Sequence, residues 1–204
     1  MSHKDEPTNA TTKRGFSVWT YLSEIPFGWD VQDIAQKCED ALRYMGISQR
    51  KLNNNALGIV FRPRSYFKAA DDSRDMGFGA YGSAAKIGDN FYRIIIHPDA
   101  YDGRCEHHQW NEEAVLLTIA HELAHVAQML SGRLKVHTYS KKGQRETFTS
   151  LKGKKYQYYH KEWRWVSRPS EHEAEWAKFH ILRDVWGMEP RNPTELEEMM
   201  GDMV

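Results

Sequence analysis

His121-Glu122-Leu123-Ala124-His125 lies inside a run from about Asn111 to Leu130 whose apolar positions recur at three- and four-residue steps, with Gly132 just beyond its end. That spacing predicts one long helix closed by a glycine. Helical residues four apart are separated by about 40° around the axis and lie one turn along it. Both imidazoles then point the same way and can hold one Zn²⁺ by ring nitrogen at about 2.0–2.1 Å. Glu122 stands about 100° round from His121. That places it beside the metal face but off its axis, where a base can act on metal-bound water.

Five residues can match by chance, so the whole helix matters. With His121 as origin, Leu116, Ile119, Ala120, Leu123, Val126, Ala127 and Leu130 fall between about 140° and 260°. The histidines sit nearly opposite this core face, as a helix between a core and a cleft requires. The competing reading is a surface helix carrying two incidental histidines.

A three-ligand catalytic zinc site needs one more protein donor, with the fourth position left for water. Pro169-Ser170-Glu171-His172-Glu173-Ala174-Glu175-Trp176 opens a second helix, expected over about Glu171–Trp186 with Ser170 as its N-cap. Its apolar residues Ala174, Ala177, Ile181, Leu182 and Val185 share one direction, and Glu171 is the acid closest to it, about 50° away. A carboxylate at a helix start is also favoured in its ionised, ligating form. His160, in Tyr158-Tyr159-His160-Lys161-Glu162-Trp163, is the competing third ligand, or an oxyanion stabiliser. His107 and His108 are adjacent, and adjacent side chains diverge, so both read as loop residues.

Outward from these helices, Val31, Ile34, Ala35, Cys38, Ala41, Leu42 and Met45 form another helical stripe, with Asp30 as N-cap and Gly46 as terminator. Leu57–Phe61 and Phe91–Ile96 read as strands, the second closed by His97-Pro98. Gly77, Gly79, Gly82 and Gly88 break up the stretch between them. Residues 134–166 are rich in β-formers and punctuated by Lys-Gly at 142–143 and 152–153, which predicts one or two hairpins. Residues 1–15 read as a flexible tail and 16–204 as a single domain; the acidic C-terminal end is expected to hold a short helix.

With 40% hydrophobic and 12% aromatic residues the chain can build a core, which excludes bulk disorder. Two cysteines, Cys38 and Cys105, are too few for a disulfide framework and read as thiols. The first fifteen residues lack the apolar stretch of a signal peptide, and no run of apolar residues is long enough to span a membrane. The expectation is a cytoplasmic, intracellular protein.

HExxH with a glutamate on a later helix resembles the zincin metallopeptidases, specifically their compact gluzincin branch. Glu171-His172-Glu173-Ala174-Glu175 is similar to the distal ligand motif of that group, with Glu175 where the family has Asp. The resemblance implies Glu171 as ligand and Glu175 as the group that orients a ligating histidine. A rival resemblance is to SprT/Spartan-type proteases, whose third ligand is a histidine; Tyr159–Trp163 is similar to that segment but lacks its Gly. Both resemblances imply an extended peptide lying along an edge strand before the active helix, here Phe91–Ile96 or the Gly-rich segment preceding it.

The formal net charge is zero, yet residues 131–168 hold eleven basic residues against Glu146 and Glu162. That segment carries +9 and the rest of the chain −9. Basic residues interleaved with Tyr and Trp could hold phosphates and stack bases, or bind an acidic partner; Lys on a hairpin also guards against edge pairing. The expected fold is α+β and zincin-like: a small mixed sheet packed on the HExxH helix, a basic β-hairpin insertion and a C-terminal helix bearing the third ligand. The expected function is zinc-dependent peptide hydrolysis with Glu122 as general base. The alternatives are a DNA-associated SprT/Spartan-like protease or nucleic-acid-binding protein using residues 131–168, and a non-catalytic zincin-fold binding module.

Overall fold

The structure is a computed structural model that describes residues 7–21, 25–63, 81–101, 110–141, 144–156 and 169–189, without the side chains of 136–141, 144–149 and 154–156. It is a mixed α+β arrangement with two sheets. The first strands are β1 (Pro7–Thr11) and β2 (Ser17–Tyr21). Helices α1 (Val31–Tyr44) and α2 (Gln49–Asn53) lead to β3 (Ala56–Phe61). Strands β4 (Gly82–Gly88) and β5 (Phe91–Ile96) precede the long helix α3 (Glu112–Leu130). Strands β6 (Leu134–Lys141), β7 (Gln144–Leu151) and β8 (Lys154–Tyr156) follow, then α4 (Pro169–His180), which runs into a π-turn over Ile181–Val185.

The larger sheet has the order β1-β2-β3-β5-β4. Its centre, β2-β3-β5, is parallel, and both outer pairs are antiparallel. Register places Leu57 beside Tyr92, Ile59 beside Ile94 and Phe61 beside Ile96. All six are buried, as the alternation of a strand with one core face requires. Against them pack Ile34, Cys38 and Leu42 of α1 and Val115, Ile119, Leu123 and Val126 of α3, which form one continuous core. Cys38 belongs to that core, and burial pushes its thiol up to about 12, so it stays an unreactive apolar residue.

Local chemistry explains the helix boundaries. Asp30 accepts the backbone N–H groups of Gln32 and Asp33, and Asn111 accepts that of Ala114; each satisfies donors that a helix start leaves open. Gly46 and Gly132, at φ 81° and 75°, take the left-handed conformation that ends α1 and α3. At the far end of α3 the Lys51 ammonium donates to the Leu130 carbonyl at 3.1 Å.

Three expectations are corrected, one of them only in part. Pro7–Thr11 lies in the stretch expected as a tail but pairs along its length with β2. Its threonines suit an edge strand, where polar side chains face water and only Ala10 turns to the core. Gly82–Gly88, part of the stretch expected to be broken up by glycines and also the alternative edge strand, is the edge strand β4; glycine permits the close helix approach described below. Helix α4 begins at Pro169, so Ser170 sits in its first turn rather than at the N-cap. Proline's fixed φ suits the first helical position, which moves the start one residue earlier. The hairpins expected over 134–166 are present in the described part, where β6, β7 and β8 form a three-stranded antiparallel sheet of their own. Its second turn is Lys152-Gly153, both at positive φ (50° and 81°) as a two-residue hairpin turn requires. The expected C-terminal helix, Cys105, His107, His108 and His160 lie outside the described residues.

Candidate metal centre

Helix α4 packs against α3 and brings Glu171 to its histidines. The histidine side of α3 is therefore not an open cleft wall: His121 and Glu122 are buried, and Glu171 is 2% exposed. Arg133, just past α3, pairs with Glu173 and ties the two helices together.

Three donor atoms converge between the helices. His121 Nε2 lies 3.2 Å from Glu171 Oε2, His125 Nε2 lies 3.1 Å from the same oxygen, and the two Nε2 atoms are 3.1 Å apart. The rings stand at 80° to each other. Ligand atoms held tetrahedrally at about 2.0–2.2 Å from one ion would be about 3.4 Å apart. The triangle is close to that size.

Hydrogen bonds on the far sides of the rings assign the tautomers. Gln128 donates its amide nitrogen to the Ser170 carbonyl at 3.0 Å, which turns its oxygen toward His125 Nδ1, also at 3.0 Å. That oxygen can only accept, so Nδ1 carries the proton and Nε2 keeps its lone pair. His121 Nδ1 lies 2.9 Å from Glu175 Oε1, and the other oxygen of Glu175 pairs with Lys178. The same reasoning leaves a lone pair on His121 Nε2. Two imidazole lone pairs and a carboxylate oxygen thus meet at one point, and such a set is stable only around positive charge. His121, His125 and Glu171 fit a single divalent ion, and among the described residues they are the only such group.

Without a metal ion, protons on the rings would relieve the same crowding. For His121, burial opposes the charged ring, but hydrogen bonds to Glu171 and Glu175 and the charge of Glu122 outweigh it, pushing the ring up to about 9. His125 is raised by the same contest, with Glu171 as the main opposing influence. For the acids, burial acts upward and loses. Glu171, bonded to both rings, is held far below the usual carboxylate range, and Glu175, beside His121 and Lys178, falls to about 2. Glu122 is different: burial raises it, and His121 and His125 only partly compensate.

Glu122 stands beside the triangle and does not share it. Its neighbour is Gly82, the first residue of β4. A Cβ there would sit 3.0 Å from the Ile95 carbonyl oxygen, 3.0 Å from Thr118 Cγ2 and 3.2 Å from Glu122 Cγ. The missing side chain lets the edge strand press directly on the helix face that carries Glu122.

Of the residues singled out in the sequence, the fold brings His121, Glu122, His125, Glu171 and Glu175 together. Gln128 and Lys178 escaped the sequence reading, and Gly82 was read only as part of a glycine-rich segment. Gln128 lies one turn beyond His125, but only its bond to the Ser170 carbonyl sets it apart from other helical glutamines. No protein-family model, no curated protein and no solved structure matches the chain.

Proposed function

We propose that the chain is a zinc-dependent metallopeptidase of the zincin type, with His121, His125 and Glu171 as ligands and Glu122 as general base. One observation carries this reading: two orthogonal imidazoles with outward-tied Nδ1 atoms and one buried carboxylate present three lone pairs within 3.2 Å of one another. Zinc, when bound, supplies a Lewis acid for a carbonyl oxygen and lowers the pKa of water.

The chain's own residues do the rest. Among the described residues β4 pairs only with β5, so its other edge can take an extended peptide by main-chain hydrogen bonds. Gly82 brings that edge to Glu122. The Glu122 carboxylate takes a proton from water as its oxygen adds to the peptide carbonyl carbon. It then delivers that proton to the amine nitrogen as the C–N bond breaks. Burial favours the protonated form of Glu122, which helps it hold the proton between the two transfers. Glu175 and Gln128 keep both ligating rings in one tautomer throughout.

Glu122→Gln tests the reading. The amide keeps the size but cannot accept the proton, so zinc content and fold should persist while kcat falls about 10²–10⁴-fold on a broad peptide pool. Undiminished turnover in the zinc-loaded variant would exclude Glu122 as the base.

A second reading draws on one further observation. Among the described residues of the basic stretch, β6-β7-β8 form a sheet of their own, distinct from the five-stranded sheet. A nucleic-acid-associated protease would use such a sheet to hold phosphates while the metal centre cuts bound protein.

A further inference from the structure

Phe27 carries a contradiction. Its φ is 61°, a left-handed conformation that bulky side chains rarely adopt. Glycine or asparagine would make the same turn with less strain. Burial does not compensate for the strain either, because Phe27 is 42% exposed. A strained, exposed aromatic residue points to a use for the ring itself.

The ring is the outer end of an aromatic row. Phe27 packs on Trp29 and Trp110 with centroids 5.2 and 5.7 Å away. Trp29 is pinned by its indole N–H to Glu112 in the first turn of α3, at 2.8 Å. Trp110 meets Tyr101 edge-on at 5.0 Å, and Tyr101 meets Tyr81 at 4.8 Å. The inner end of the row reaches the site. The Thr118 hydroxyl donates to the Ala114 carbonyl, so the Tyr101 hydroxyl, 2.7 Å away, donates to Thr118. Thr118 lies one turn before Glu122, and both crowd Gly82. Tyr81 is the residue that enters β4.

We propose that this row, with Phe27 as its outer anchor, is a recognition track for a bulky apolar side chain of an extended peptide lying along β4. The proposal rests on the peptidase reading above and adds the substrate class. The three steps from Phe27 through Trp110 and Tyr101 to Tyr81 span at most about five residues of extended chain at about 3.3 Å each. The side chain that Phe27 receives therefore lies several residues from the cleaved bond. Aromatic faces favour aromatic and large aliphatic groups, and a partly exposed ring leaves one face for them.

The test uses the full zinc-loaded chain and a series of quenched fluorescent decapeptides built on one cleaved sequence, with Phe, Leu, Ser or Asp placed at each position in turn. Expected is a preference of about tenfold in kcat/KM for Phe or Leu over Ser at one position several residues from the cut. The preference should reside in KM. Shortening the wild-type substrate to remove that position should abolish it. Phe27→Ala should reduce the preference to unity, Phe27→Tyr should retain it, and both should keep one zinc per chain and the wild-type melting temperature. A preference undiminished in Phe27→Ala overturns the track and leaves the peptidase reading intact. Binding of the same decapeptides to Glu122→Gln protein, read by fluorescence anisotropy, separates the two: peptides neither cleaved nor bound overturn both. Loss of single-stranded oligonucleotide binding in Phe27→Ala, with peptide preference unchanged, assigns the row to nucleobases and overturns the track.

Discussion

At the scale of single residues, the position of two protons decides whether the metal centre can exist. If either Nδ1 lost its acceptor, the ring could turn over to the other tautomer and aim an N–H at the point where the donors meet. Glu175 holds His121 and Gln128 holds His125. Gln128 has the larger reach, because its amide also bonds the Ser170 carbonyl and so couples His125 to the helix that bears Glu171. We expect Gln128→Ala to weaken zinc affinity about 10–100-fold, measured by competition with a chromophoric chelator, while the helices remain folded. An affinity equal to wild type would show that packing alone orients His125. Legibility at this scale follows sequence distance. The pairing of His121 and His125 is local to one helix turn, so spacing reveals it. Glu171 was readable from its phase against Ala174, Ala177 and Ile181. Gln128 was not, because only its contact with Ser170, 42 residues away, distinguishes it from any helical glutamine.

At the scale of elements, strong periodicity was the reliable guide. Stripes of apolar residues predicted α1 and α3, and continuous apolar runs predicted β3 and β5, because each buries a whole face. The two outer strands of the larger sheet were poorly legible for opposite reasons, β1 being read as tail and β4 only as an alternative edge. β1 is polar because an edge strand with one wet face needs few apolar side chains. β4 is glycine-rich because Gly82 must fit beneath Thr118 and Glu122. The strand that matters most to the proposed chemistry was thus hidden by the feature that makes it useful. The basic sheet yields its own expectation. Phosphate contacts release counterions, so binding of a duplex or single-stranded oligonucleotide should fall steeply with salt. Reversing Lys152, Lys154 and Lys155 to Glu together should weaken binding across all sequences and lower the slope of log K against log salt by about two to three. If the wild-type chain shows no binding at low salt, the nucleic-acid reading is removed.

At the scale of the whole molecule, the architecture separates support from chemistry. The five-stranded sheet, α1 and α4 pack with α3 in one core, and α4 carries Glu171 at its start. Lys51 at the end of α3 and Arg133 just beyond it tie that helix into its surroundings. The net neutral charge conceals a division, with the basic segment inserted between the two helices that build the centre. Among the described residues no helix is long and apolar enough to cross a bilayer. The central claim is that the two helices exist in this arrangement to hold one metal ion through His121, His125 and Glu171. Elemental analysis of metal content tests it most directly, on the wild type, Glu171→Ala and His160→Ala purified under zinc-replete conditions. The expected result is one zinc per chain in the wild type and in His160→Ala, and a loss of stoichiometric zinc in Glu171→Ala. Full occupancy in Glu171→Ala together with loss in His160→Ala would contradict the account and move the third ligand to His160.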